Sequence, residues 1–428
     1  MRRRSNPRPS PLGETTETTE TAKRHAPGGD ALGTFGISVA KRVALLLVLS
    51  VLAACSEPGS SSAPSTTQSS PPTTEVETTQ PPTSSTSTTE ATTTSTVPPP
   101  PTQELAGART ICSYSGLTVP NEILGMLAEG KASGVLWFKS NIPNQQTAQT
   151  SAAAIQAAAS QAASGLGPAI ITIDQEGGQI RRIDGPPQLS ASELGRLSTE
   201  EITQQGAETA EVMLSWGANF DLAPVADVAR AGSFLVSQQR SFSDDPQLAA
   251  EAVAAFVSGL RHGGVATTVK HFPGLGAAVT NTDFDPTEID LSREQMNATD
   301  LPPFIAGIDA GADAVMISSA TYPALDSVPA VLSEHIINDL LRNELGFDGV
   351  VISDAFDAEA VKELGPIEEV VVEAANAGVD VFITATTAAC QQIHQALAQA
   401  IDNGTIPLEN AVDSYWRVAE LRSNLASN

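Results

Sequence analysis

Three short apolar runs in this chain each end in side chains able to do chemistry. Residues 265–271 finish in Lys270 and His271, with Pro273 and Gly274 directly after. Residues 169–174 finish in Asp174, ahead of Gln175, Glu176, Gly177 and Gly178. Residues 349–354 finish in Ser353 and Asp354. Carboxylates, an imidazole and an ammonium group suit nucleophilic, acid–base and hydroxyl-binding work. An acid closing an otherwise apolar strand is costly unless it is paired or used. Strands that each deliver a charge at the C-terminal tip, with helical stretches between them, point to one catalytic face on a parallel α/β barrel.

The elements that must position these tips recur along the chain. β-Branched and apolar runs predict strands over 110–114, 134–138, 169–174, 219–223, 267–271, 314–318, 349–354 and 380–384. Helical periodicity predicts helices over 121–129, 146–163, 199–216, 246–262, 300–310, 334–344, 367–375 and 389–401. Eight strands, each followed by a helix, give an α/β class and a (β/α)8 TIM barrel. An open doubly wound sheet is the rival, and the even spacing favours closure. Residues 408–425 read as an added packing helix.

The N-terminal quarter is of another kind. Lys41 and Arg42 precede a twelve-residue apolar run, 43–54, which is short for a membrane span and suits a signal peptide over residues 1–54. It ends Leu52-Ala53-Ala54-Cys55, which resembles a bacterial lipobox. That resemblance implies a diacylglyceryl group on Cys55, membrane anchoring and an extracytoplasmic location; an ordinary signal peptide with a chance cysteine is the alternative. Residues 55–104 are Ser, Thr and Pro-rich and read as a disordered tether, leaving 105–428 for the barrel. Beyond residue 54 there are 15 basic against 45 acidic groups within a formal net charge of −26. Nucleic acid is excluded as a partner, because phosphate binding needs a basic face. Cys112 and Cys390 fall where the barrel would close, as a disulfide or as two buried thiols. No His/Cys pair has metal-ligand spacing, and no cofactor is implied.

Five segments then resemble glycoside hydrolase family 3, and within it the single-domain bacterial β-N-acetylhexosaminidases. They are Ile173 to Gly178, Phe220 to Asp227, Gln239 to Phe242, Lys270 to Gly274 and Gly346 to Asp354, in family order. The resemblance implies Asp354 as the nucleophile of a retaining reaction, forming a glycosyl-enzyme. It implies Asp174, Arg182, Arg240, Lys270 and His271 as substrate-binding residues. A structural ion-pair network at the strand tips is the alternative for each. Glu176, Asp221 and Asp227 read as supports, and Gly177-Gly178 as a tight turn rather than a phosphate cradle. The expected substrate is a terminal β-linked N-acetylglucosamine from cell-wall fragments, and the expected state a monomer.

One loop departs from the family. Where the hexosaminidases carry Asp-Ser-His, this chain has Asn281-Thr282-Asp283. Asn281 replaces the Asp of the His/Asp dyad and Asp283 replaces its His. A carboxyl at 283 protonates a leaving oxygen only if its pKa is raised, and it must come within roughly 5–5.5 Å of Asp354 for a retaining pair. Asp285 and Glu288 are fallback acids. His262 and His394 fall on outer helices, and His335 begins a helix. Three readings stay open: a retaining hydrolase using Asp354 and Asp283; a catalytically weak or inactive cell-wall-binding lipoprotein; and an enzyme for activated glycosides.

Overall fold

The computed structural model describes residues 98–425. The signal segment, Cys55 and the tether up to residue 97 lie outside the described residues, as do 426–428. Eight parallel strands close into a barrel: β1 Thr110–Cys112, β2 Gly134–Leu136, β3 Ile170–Ile173, β4 Phe220–Asp221, β5 Ala266–Phe272, β6 Ala314–Ile317, β7 Val350–Ala355 and β8 Val381–Ile383. Each pairs with its sequence neighbour, and β1 meets β8 through Thr110 opposite Phe382 and Ile111 opposite Ile383. The strands are buried on both faces, as continuous apolar runs in a helix-covered parallel sheet should be. The barrel is thus the expected one, with strand ends trimmed. The first strand stops at Cys112 rather than 114, and its neighbour at Leu136 rather than 138.

Local chemistry sets the helices around it. Helix α1 is Thr102–Ala108, α2 Asn121–Ala128, α3 Gln145–Ala159, α4 Thr199–Trp216 and α5 Pro246–His262. After these come α6 Leu301–Asp309, a π-helical segment His335–Glu344, α7 Ile367–Ala377, α8 Thr387–Asp402 and α9 Leu408–Leu425. Ser198 and Glu201 form a capping box at the start of α4, and Gly217 closes it in the left-handed region. Asp245 accepts from the backbone of Gln247 and Leu248 to cap α5, with Pro246 in its first turn. These two helices press together closely. A Cβ on Gly259 would lie 2.1 Å from the Thr203 carbonyl oxygen, so any side chain there forces them apart.

The tether was expected to run to residue 104, and here the boundary moves back. Helix α1 begins at Thr102, because Leu105, Ala106 and Ala108 bury an apolar stripe and the Thr102 hydroxyl donates to Asp402 at the foot of α8 (2.7 Å). Cys112 and Cys390 form a disulfide, Cα–Cα 5.2 Å, joining the end of β1 to the first turn of α8. Of the two states left open for this pair, the oxidised one is present.

The N-terminal ends of the strands are sealed by charge. Asp380, just before β8, is fully buried. Its carboxylate accepts from Arg342 (2.6 Å), Arg417 (2.8 Å), the Ser414 hydroxyl (2.7 Å) and the Val351 amide (2.9 Å). Ser414 and Arg417 belong to α9, so this acid fastens the last helix to the floor. Arg109 lies beside it over the Phe382 ring and donates to the Val379 carbonyl oxygen. Its deep burial lowers the guanidinium to about 10.

Candidate active site

At the opposite end the strand tips surround a cleft of about 250 Å³. Asp174, Glu176, Arg182, Arg240, Lys270, His271, Asn281, Asp283 and Asp354 all line it. Every residue expected from sequence to bind or react is therefore brought together. Two wider surface clefts flank α8, and neither reaches a strand end.

Consecutive residues of a regular strand face opposite ways, yet Lys270 and His271 both reach the cleft. The pairing of β5 with β6 shifts register between Lys270 and Phe272, and a bulge of this kind re-aims side chains. Beyond Asp221 the chain continues irregularly beside β5, with the Thr268 amide donating to Ala223 and the Ala226 amide to Lys270. This carries Asp227 under His271. Asp227 accepts from His271 Nδ1 (2.7 Å) and from the backbone amides of His271 and Leu275. Imidazole orientation is thereby fixed from behind.

Lys270 Nζ sits between two acids, 2.9 Å from Asp174 and 2.8 Å from Glu176. Arg182 donates to the other Asp174 oxygen (2.8 Å) and lies over the Phe138 ring. Arg240 grips Glu176 with two bonds of 2.7 and 2.8 Å. Burial would raise Asp174, but Lys270 and Arg182 hold it well below the usual carboxylate range. Against the same burial, Arg240 and Lys270 bring Glu176 down to about 2. Burial would lower Lys270, and its two acids instead raise it above an ordinary lysine. The cluster is a fixed set of charges at neutral pH, rigid enough to orient hydroxyl groups.

Gln175 holds this arrangement from below. Its amide donates to the Pro186 carbonyl (2.9 Å), and its Oε1 accepts from the amides of Arg182 and Ile183. A hairpin, Gln175–Gly177 paired with Ile180–Arg181, follows. Gly177 has φ 103°, and a Cβ there would meet the Leu189 carbonyl oxygen at 2.2 Å. The glycine doublet makes the tight turn expected of it. Asp221 lies beneath, fully buried, with one oxygen bound to the Gln175 amide (2.9 Å) and the other without a partner. Its burial pushes the carboxyl up to about 8, so it is protonated where its neighbours are ionised.

Two carboxyls remain outside the cluster. Asp354, at the end of β7, is half-buried and accepts from the Ala355 amide (2.7 Å). Asp283 stands at the exposed rim. Asn281 accepts from its amide (3.0 Å) and donates to its Oδ2 (2.9 Å), while the Asp283 carbonyl receives the Glu359 amide (3.2 Å). The partial desolvation of the mouth, and then the charge of Asp354, raise the Asp283 carboxyl; the Asn281 bond pulls the other way. A raised carboxyl lining the same small polar cleft as Asp354 can deliver a proton there.

The fallback acids Asp285 and Glu288 do not line the cleft. His335 pairs with Asp339 at the surface, and His262 and His394 lie on α5 and α8. Glu176 lines the cleft and braces Lys270 and Arg240, in keeping with a supporting part. Sequence reasoning missed Gln175, Phe138 and Phe284. Only the position of Gln175 after a strand-ending acid hinted at a role.

Comparisons place this geometry among known proteins. Residues 111–421 match the model of the glycosyl hydrolase family 3 N terminal domain. A secreted glycosyl hydrolase of Arthroderma benhamiae is 37% identical over 330 residues, 75% of this chain and 93% of the relative. A β-hexosaminidase of Stenotrophomonas maltophilia is 36% identical over 60% of this chain and 77% of its own length. Among solved structures, a glycoside hydrolase family 3 β-N-acetylglucosaminidase from Paenibacillus superposes with a TM-score of 0.71 at 28% identity. The match covers 76% of this chain and 62% of that one, so the chain spans under two thirds of that relative.

Proposed function

The chain belongs to glycosyl hydrolase family 3 and is a glycoside hydrolase, and we propose that it is a retaining one that removes terminal β-linked N-acetylglucosamine. The observation that carries this reading is that Asp354 and Asp283, the latter with its carboxyl raised, line one cleft. Asp283 protonates the glycosidic oxygen as Asp354 attacks the anomeric carbon, giving a glycosyl-enzyme. Asp283, now ionised, takes a proton from the water that hydrolyses it. Asp174, Arg182, Arg240, Lys270 and His271 hold the sugar hydroxyls. A cavity of about 250 Å³, below the roughly 300–1,000 Å³ of drug-sized sites, fits a single terminal ring. The proposed active form is a monomer.

The proposed setting is the bacterial cell surface, with a lipid on Cys55 and cell-wall fragments as substrate. The Cys112–Cys390 disulfide suits an oxidising compartment, and the Arthroderma relative is described as secreted.

Hydrolysis of a nitrophenyl β-N-acetylglucosaminide and of an alkyl analogue tests the assignment. Wild type should cleave both, and Asp354→Asn neither. Asp283→Asn should lose mainly the alkyl substrate, by about 10²–10⁴-fold, because a nitrophenolate departs without protonation. Retained sugar affinity with no turnover by wild type would overturn the reading in favour of a binding protein.

A further inference from the structure

We infer that Phe284 is the surface on which the leaving-group half of the substrate rests, and that it selects for a second sugar ring there. The inference depends on the proposed hydrolase reading, since it takes Asp283 as the acid. Phe284 lines the same cleft as Asp283 and Asp354, yet it is 69% exposed. Its backbone is held in place: the Phe284 amide donates to the Asn281 carbonyl (3.0 Å), and the preceding carbonyl takes the Glu359 amide (3.2 Å). A bulky ring is thus presented to solvent by a pinned turn, with no packing duty inside the chain.

Position gives that ring a direction. Deep in the cleft Lys270, Arg182 and Arg240, with their acids, occupy the polar walls around space for one ring. Whatever is attached to the anomeric carbon must leave outward past the group that protonates its oxygen. The residue directly after Asp283 therefore meets the leaving group and not the cleaved sugar. A pyranose offers an apolar face of C–H bonds to such a ring, and aromatic contacts of this kind add to simple area burial. Val279, on the same loop and 75% exposed, does not line the cleft, which makes it an internal control.

Two substrates whose unactivated leaving groups both need protonation separate this role from the acid's, each variant being compared with wild type on the same substrate: the β-1,4-linked N-acetylglucosamine disaccharide and the methyl β-glycoside. Phe284→Ala should lower kcat/KM for the disaccharide about tenfold while changing the methyl glycoside by less than about twofold. Phe284→Trp should keep the preference, and Val279→Ser should change neither. Equal losses on both substrates, or none on either, overturn the inference and leave the hydrolase reading intact. Wild type cleaving neither substrate removes the proposed N-acetylglucosaminide-cleaving reading and this inference with it.

Discussion

Two buried ion clusters occupy opposite ends of one barrel, and both pair carboxylates with two arginines. On the floor, Asp380 satisfies both oxygens with two arginines, a hydroxyl and a backbone amide. At the mouth, Lys270 is shared by Asp174 and Glu176, each of which also holds an arginine. The floor cluster borders none of the clefts described above. Every member of the mouth cluster keeps an edge on a cavity, with Asp354 and Asp283 left over beside it. Buried charge by itself therefore does not distinguish fastening from chemistry. What separates them is an unsatisfied edge facing space, at the end of the barrel where the βα loops begin.

Substitutions in each cluster should fail in opposite ways. Asp354→Asn should cut turnover by about 10⁴-fold or more with the unfolding midpoint unchanged, as steady-state kinetics and thermal melts will report. Asp380→Ala should cost about 3–5 kcal/mol in denaturant unfolding, because it strands buried guanidinium groups, while kcat per folded molecule stays constant. Lost turnover without lost stability in Asp380→Ala would dissolve the distinction between the two ends.

Asp221 sharpens the contrast, since it lies under the mouth yet is protonated. Its carboxyl sits at about 8 in the folded chain and about 3.9 unfolded. The folded state then binds the extra proton, and stability falls as pH rises between those values. Asp221→Asn removes the ionisable group and keeps the acceptor for the Gln175 amide. Its melts should flatten over about pH 4–8, with a gain on the order of 1–3 kcal/mol at the upper end. A pH dependence as steep as wild type would refute the assignment. The smallest effect belongs to Asn281→Ala. Loss of the bond to Asp283 should raise that carboxyl further and move the alkaline limb of the kcat/KM profile upward; a downward move counts against Asp283 as the acid.

Legibility in the sequence followed the same divide. β3, β5 and β7 could be read because doubly buried parallel strands are unbroken apolar runs, and a charge at such an end has few bland explanations. Asp174, Lys270, His271 and Asp354 were therefore found from their positions, whereas Arg182, Arg240 and Asp283 came from the family resemblance. Asp380 was placed at the start of a strand with no role, because the partners that define it, Arg342 and Arg417, are distant in the chain and converge only once α9 packs. Gln175 escaped for a related reason: its work is done through backbone carbonyls and amides, which leave no pattern in side-chain types. Cys112 and Cys390 stayed undecided until the closing seam brought their Cα atoms to 5.2 Å. Phe284 looked like one more loop residue, since nothing in composition tells a ring facing a cleft from one facing open water.

That closing seam also decides how the domain behaves under tension. A pull on the chain at Pro98 enters α1, whose first turn is held to the foot of α8, and passes into β1, the strand that closes the barrel against β8. Peeling this edge should stop at Cys112, where the load transfers through a covalent bond to the head of α8. The stretch that such a pull can strip away before the cross-link bears load is 98–111. The cross-link stands at the stitch where a leash would otherwise begin to unravel the wall.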